Sequence, residues 1–186
     1  LTAFNIENNL KRIGPFGIIS IGALFVIVTG GIDLSIGSVV GLVGVLVPWL
    51  LKERGFSVPA TLATVVIVSI GIGLLHGLLI TKLKLQPFVV TLCGLMVYRS
   101  QARFIANETT QGFGNDYTGL KSVLVGRIPS EGGIPWGDSS FAIPTAFVIM
   151  AGLAVVAAIF LNKTIYGRYL LALGRNEQAA RFSGIN

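Results

Sequence analysis

Five apolar runs dominate the chain: Gly14 to Gly31, Leu34 to Leu51, Pro59 to Thr81, Pro87 to Phe104, and Phe141 to Leu161. Each is long enough to cross about 30 Å of hydrocarbon, which takes roughly 17–25 residues of helix. Lipid offers no partner to a free backbone N–H or C=O, so such runs fold as helices or close into a barrel. Their apolarity is continuous rather than alternating, which excludes the barrel. The expected fold class is all-α, a polytopic membrane protein with about five transmembrane helices.

The polar breaks between the runs carry the next layer of information. Only Thr29-Gly30-Gly31-Ile32-Asp33-Leu34-Ser35 separates the first two runs. Gly30 and Gly31 loosen the first helix, and Asp33 or Ser35 can accept backbone N–H bonds that start the second. An acid among apolar spans is a functional candidate; a helix cap at the water interface is the plainer reading. Gly30, Gly31, Asp33 and Ser35 are therefore candidate pathway or helix-break residues. Lys52 to Gly55 closes the second run, and Lys82 with Lys84 closes the third. The one long polar connection is 107–140, with seven glycines, Pro129, Pro135 and Trp136. Connections of that length often carry function.

Composition agrees with a bilayer solvent. The chain is 53% hydrophobic and 12% charged, with a mean hydropathy of +0.80; a soluble domain carries about 25% charged residues. The net charge of +6 would suggest nucleic acid on a soluble protein. Here it reads as Lys and Arg flanking membrane spans, and no nucleic-acid partner is expected. Lys163, Arg168, Arg175 and Arg181 follow the fifth run, which places that end in the cytoplasm. Counting back, 107–140 is an external loop. Lys11, Arg12, Lys52 and Arg54 then fall outside, against the positive-inside tendency. The chain begins at Leu1 and stops at Asn186 inside a polar stretch, so it is expected to be a piece of a longer membrane protein.

Individual motifs are sparse. Gly37-x-x-x-Gly41 and Gly73-x-x-x-Gly77 place small residues on one helix face, which suits close packing within the chain or at a subunit interface. His76 has no other His, Cys or acid at ligand spacing, so it reads as a packed or interface-facing histidine rather than a metal ligand. Arg99 and Arg103 share a helical face at the end of the fourth run, where they can snorkel to headgroups. Cys93 stands alone in an apolar run. Neither H-E-x-x-H, nor G-x-S-x-G, nor the phosphate-cradling G-x-x-x-x-G-K-[ST] is present. No catalytic residue, metal or cofactor is expected, and any ATP would be bound by another chain.

The last stretch, 163–186, is basic and helix-competent. Gly167 is expected to end one helical stretch and Gly174 to break the next. Asn176 can cap a helix from Glu177, whose charge suits the positive helix end. Ala179, Ala180 and Phe182 form a small apolar surface among Arg175, Gln178 and Arg181. Small alanines let a partner groove close over a short helix; a helix lying on anionic membrane lipid is the alternative.

Three blocks resemble the permease subunits of bacterial ABC importers for ribose, xylose and related monosaccharides. They are F-V-I-V-T-G-G-I-D-L-S-I-G-S at Phe25 to Ser38, Q-P-F-V-V-T-L-C-G-L-M-V-Y-R at Gln86 to Arg99, and T-I-Y-G-R-Y-L-L-A-L-G-R-N-E-Q-A-A-R-F-S-G-I-N at Thr164 to Asn186. The third is similar to the cytoplasmic coupling loop of such importers, whose pattern is E-A-A, three residues, then Gly. Ala179, Ala180 and Gly184 fit it, with Gln178 in place of the Glu. The resemblance implies one permease domain over 1–186, with a first span and later spans of the family absent from it. It implies a multi-pass protein of the bacterial inner membrane that translocates a monosaccharide. The implied partners are an ABC ATPase subunit, a periplasmic sugar-binding protein docking near 107–140, and a second permease subunit, as a homodimer. Gly167, Arg168, Gly174, Asn176, Ala179, Ala180 and Gly184 become the candidate residues for coupling to the ATPase. The rival reading is an ion-coupled secondary transporter of a small polar solute, which would want intramembrane charges facing a cavity; the chain offers almost none. A third reading is a structural or lipid-binding membrane protein.

Overall fold

The computed structural model describes residues 2–112, 116–129, 132–136 and 139–184. Gly114 and Gly137 of the long connection, and Ile185 and Asn186 of the terminal block, lie outside the described residues. Among the described residues, eight helices and four short strands occur in the order α1 (Ala3–Val28), α2 (Ile36–Lys52), α3 (Val58–Thr81), α4 (Pro87–Ala106), α5 (Thr118–Val125), β1 (Arg127–Ile128), β2 (Ile134–Trp136), β3 (Ser139–Phe141), β4 (Ile143–Pro144), α6 (Thr145–Lys163), α7 (Ile165–Arg175) and α8 (Glu177–Phe182).

Every apolar run carries a long helix. α1, α3 and α6 are long and apolar enough to cross a membrane. α2 is apolar but has 17 residues, about 26 Å of helix. α4 has 20 residues, and Arg99, Gln101 and Arg103 make its second half polar. Leu62, Val66, Ile67, Ile70, Leu74 and Leu78 of α3 stand open, an apolar surface that water would not tolerate and lipid does. The architecture is that of an all-α polytopic membrane protein.

The long connection adds what the hydropathy pattern did not foretell. With Phe141, Ile143 and Pro144 of the fifth apolar run, which are strand rather than helix, it forms α5 and two antiparallel two-stranded ladders, β1 with β4 and β2 with β3. Their registers are Ile128↔Ile143 in one and Pro135↔Ser140 in the other.

The described chain divides into two compact units, Leu1–Gly30 with Tyr117–Asn186, and Gly31–Asp116. In the first, α1 and α6 run parallel. Gly14 lies against the backbone of Ala146 and Phe147, Gly17 against the Met150 side chain, and Phe25 meets Phe160 edge-on at 5.9 Å. A Cβ on Gly14 would come within 2.8 Å of Ala146 C and Phe147 N, so glycine here permits backbone-to-backbone approach. The polar start of α1 is fixed as well. Thr2 caps it, and the Glu7 carboxylate takes Lys11 Nζ at 2.8 Å, Arg127 Nη1 at 3.4 Å and the Ala142 N–H at 3.5 Å. This ties α1 to β1 and to the residue between β3 and β4.

In the second unit α2 packs mainly on α4, and α3 turns back into α4 through 82–86. Tyr98 Oη lies 3.0 Å from His76 Nε2, both side chains buried. His76 is thus a packed histidine, as its surroundings predict. Gly94 makes the room, since a Cβ there would meet His76 Nε2 at 2.7 Å. The small faces Gly37/Gly41 and Gly73/Gly77, by contrast, have nothing within 4 Å of a built Cβ. They do not pack within the described chain, because α2 and α3 turn other faces to their neighbours.

Candidate functional site

The segment between α1 and α2 is irregular over residues 31–35. α1 ends as the Gly30 N–H reaches Ile27 O at 2.9 Å, with Gly30 at φ +78°, a left-handed stop that glycine adopts freely. Asp33 does not cap α2 directly. Its Oδ1 accepts the Ser35 N–H and the Ser35 hydroxyl, each at 2.7 Å, a local turn that fixes the residue just before the helix. Ser35 donates its hydroxyl to Asp33 and makes no side-chain cap, its backbone being helical rather than extended. Its carbonyl instead takes the N–H groups of Ser38 and Val39 at 2.9 Å. Ser35 is 1% exposed and Thr91, on α4, 2%. Thr91 Oγ1 lies 2.8 Å from Pro87 O and 3.2 Å from Ile32 O, joining the break to the second turn of α4.

The basic terminal stretch forms α7 and α8. Thr164 turns the chain out of α6: its Oγ1 donates to Phe160 O at 2.6 Å and accepts the Gly167 N–H at 3.0 Å. This is a Thr-x-x-Gly capping pattern that sequence reading passed over. Gly167 does not end a helix, nor does Gly174 break one. Both lie inside α7, and closeness of backbone is the reason for each. Gly167 is buried on α6, where a Cβ would come within 2.5 Å of Leu161 Cα. Gly174 sits on the end of α1, where a Cβ would meet Val28 C at 2.9 Å and Thr29 Cα at 3.4 Å.

α8 follows at once. Asn176 Oδ1 accepts the Ala179 N–H at 3.0 Å, so Asn176 is a side-chain cap. Glu177 pairs with Arg181 one turn on, at 2.6 Å. Gly184, at φ +82°, closes the helix with its N–H on Arg181 O. Ala180 is buried and Ala179 exposed, and Phe182 is 92% exposed, so the small apolar surface expected of these three is split between faces.

Between α7 and α8 runs a groove of about 470 Å³. Leu171, Ala172, Ala179 and Ala180 give it apolar lining, Arg168 and Arg175 positive charge, and Asn176 and Ser183 complete it. Arg181 is neutralised by Glu177, but among the described residues neither Arg168 nor Arg175 has a carboxylate partner. Of the candidate coupling residues, Arg168, Asn176, Ala179 and Ala180 line the groove; Gly167 and Gly174 hold α7 in place, and Gly184 ends α8. Such a surface suits an apolar side chain flanked by acids. Among the described residues no cluster of three or more His, Cys, Asp or Glu is placed to hold a metal.

Residues 5–186 match the family described as the permease component of the branched-chain amino acid transport system. The chain is 35% identical to the ribose import permease of Bacillus subtilis, with all of the chain and 53% of the relative aligned. It is 28% identical to the xylose transport system permease of Haemophilus influenzae, over all of the chain and 62% of that protein. With the galactofuranose transporter permease of Escherichia coli it shares 32% identity, over 95% of the chain and 48% of the relative. The chain thus spans about half the length of the curated relatives it matches. No solved structure matches. With helices apolar enough for a bilayer and a family match across nearly its whole length, the chain belongs to the family described as the permease component of the branched-chain amino acid transport system.

Proposed function

We propose that this chain is part of the translocation path of an ABC importer for a monosaccharide, powered by ATP that a partner subunit hydrolyses. The observation that carries this reading is the groove between α7 and α8, with its apolar lining and the two cations Arg168 and Arg175, which have no carboxylate partner among the described residues. In this reading a cytoplasmic ATPase subunit inserts an apolar side chain there and sets carboxylates against the arginines. ATP binding supplies the difference in affinity that shifts the path between outward and inward access.

Orientation follows from the same elements. α1 and α6 are parallel, so their C-terminal ends share one side of the membrane with α7. Lys163, Arg168, Arg175 and Arg181 support the bacterial cytoplasm as that side, with the inner membrane around the spans. The ladders and α5 in 107–140 then face outward, where a sugar-loaded binding protein would dock. A second copy of the permease completes the path, and the open glycine faces at Gly37/Gly41 and Gly73/Gly77 are compatible with close contact to it. Monosaccharide specificity comes by analogy with the relatives named for ribose, xylose and galactofuranose.

The test is sugar uptake by the full-length permease, assembled with its ATPase and binding protein, carrying Ala179→Trp. Ala179 is exposed in the groove, so Trp fills the groove without disturbing a core, unlike a change at the buried Ala180. Uptake should fall by at least about tenfold, equivalent to roughly 1.4 kcal/mol of lost docking. Uptake equal to the parent protein would sink the assignment.

A further inference from the structure

The groove explains where a partner could push, but not how the push reaches the spans. We infer that α7 is a rigid crossbar seated through Gly167 and Gly174 on the ends of α6 and α1, and that Gly174 delivers its displacement to the Gly30 joint. The inference rests on the docking role proposed above for the α7–α8 groove.

Both seats are backbone on backbone. At Gly167 a Cβ would strike the Leu161 main chain, and at Gly174 the Val28 and Thr29 main chain. The three atoms nearest each seat are all main chain, so α7 cannot shift toward these ends without moving them. The spacing is equally telling. Seven residues separate the two glycines, which returns them to nearly the same face of a helix and sets them about 10.5 Å apart. Parallel packed helices have axes about 8–10 Å apart, and α1 and α6 are such a pair, in contact near these ends through Phe25 and Phe160. One face of α7 therefore spans both helix ends at once.

Arg168, Leu171, Ala172 and Arg175 of the groove spread over about 50–150° around α7 from the glycine face, centred roughly a quarter-turn away at 100° per residue. A load applied in the groove passes through at most about two turns of helix to Gly174, and from it to Val28 and Thr29. The very next residue is Gly30 at φ +78°, where α1 stops and the chain continues into 31–35. A left-handed glycine can absorb a change in φ/ψ that other residues resist. Gly174 is thus a positioning residue: it touches no sugar and no nucleotide, and acts through α1.

The experiment uses the full-length permease reconstituted with its ATPase and binding protein, comparing Gly174→Ala with Gly152→Ala. Gly152, in α6, has open space around a built Cβ and serves as control. Gly174→Ala should keep capture of the ATPase subunit within about twofold of parent while uptake falls at least about tenfold and ATP hydrolysis continues. Gly152→Ala should behave as parent. Loss of capture by Gly174→Ala, or uptake at the parent level, overturns the crossbar. Loss of capture by Ala179→Trp speaks only to docking, so the two readings fail separately.

A second measurement keeps native Gly174. Spin labels at Ile27→Cys and Tyr169→Cys, in a Cys93→Ser background, report the distance between α1 and α7. Both sites are exposed, at 65% and 45%. The crossbar requires that distance to stay within about 2 Å between nucleotide-free and ATP-trapped states while the transporter changes access. A larger change means that α7 slides over α1, and the inference fails.

Discussion

The glycines of the two compact units behave differently. Around α1, α6 and α7, Gly14, Gly17, Gly167 and Gly174 are each pressed against a neighbour, three of them against main chain, while Gly22 and Gly152 meet nothing within 4 Å. On α2 and α3, Gly37, Gly41, Gly44, Gly71, Gly73 and Gly77 meet nothing within 4 Å. Sequence spacing points to the second group, since G-x-x-x-G repeats are the familiar sign of close helix packing. The structure puts the close packing in the first group. Spacing tells which residues share a face, but not whether anything lies opposite. The pressed glycines fix how α1, α6 and α7 sit on one another, and the open ones leave faces free for lipid or further protein.

Substitutions sharpen this contrast, and the largest effect belongs at Gly167. Gly167→Val would drive a branched side chain into the Phe160 and Leu161 main chain. Overpacking against backbone should lower stability by about 3 kcal/mol or prevent accumulation of folded protein, as read by thermal unfolding in detergent. A parent-like melting curve would remove the seat on α6.

Next is Gly94→Ala, the exception in the second unit, because Gly94 is pressed on His76 and Tyr98. Side chains yield more readily than main chain, so a loss of about 1–3 kcal/mol is expected, with the buried Tyr98–His76 bond disturbed. Adding Tyr98→Phe should then cost less than it does in the parent, since contacting sites are not additive. Full additivity in that double-mutant cycle would mean that the notch and the hydrogen bond are independent.

Asn176→Ala should remove about 1 kcal/mol by deleting the cap on Ala179 N–H. The loss should show as faster amide exchange confined to α8, and uniform exchange across α6 and α8 would argue against a local cap. The smallest effect belongs to Gly73→Ala in α3, where the built Cβ meets open space. It should be neutral, or stabilising by up to about 1 kcal/mol from helix propensity. A large loss in the isolated permease would show that the face is covered after all.

Much of the fold was legible because lipid-crossing helices must be long and apolar. Pro87 starts α4 as the pattern requires, and α3 begins at Val58, one residue before its run. The start of α1 was not legible: Asn5, Asn8, Asn9 and Lys11 mask eleven residues of helix ahead of Gly14. Strands of two or three residues, like Arg127–Ile128 and Ile143–Pro144, are too short to show a period. In the candidate site, the Asn176 cap could be read from local order alone. The seat of Gly174 on Val28 could not, because it joins residues far apart in the chain, and the same holds for His76 with Tyr98. Asp33 was legible as a turn residue, but its acceptance of both the Ser35 N–H and hydroxyl depends on a geometry that the sequence leaves open.

The central claim is that the α7–α8 groove receives an acidic partner surface. It is tested most directly by the affinity of the cognate ATPase subunit for full-length permease carrying Arg168→Glu and Arg175→Glu together. Both arginines are exposed and without an ion-pair partner among the described residues, so reversal should spare the fold. The account predicts at least about tenfold weaker binding and a flatter dependence of affinity on salt. Unchanged affinity with an unchanged salt dependence would contradict it.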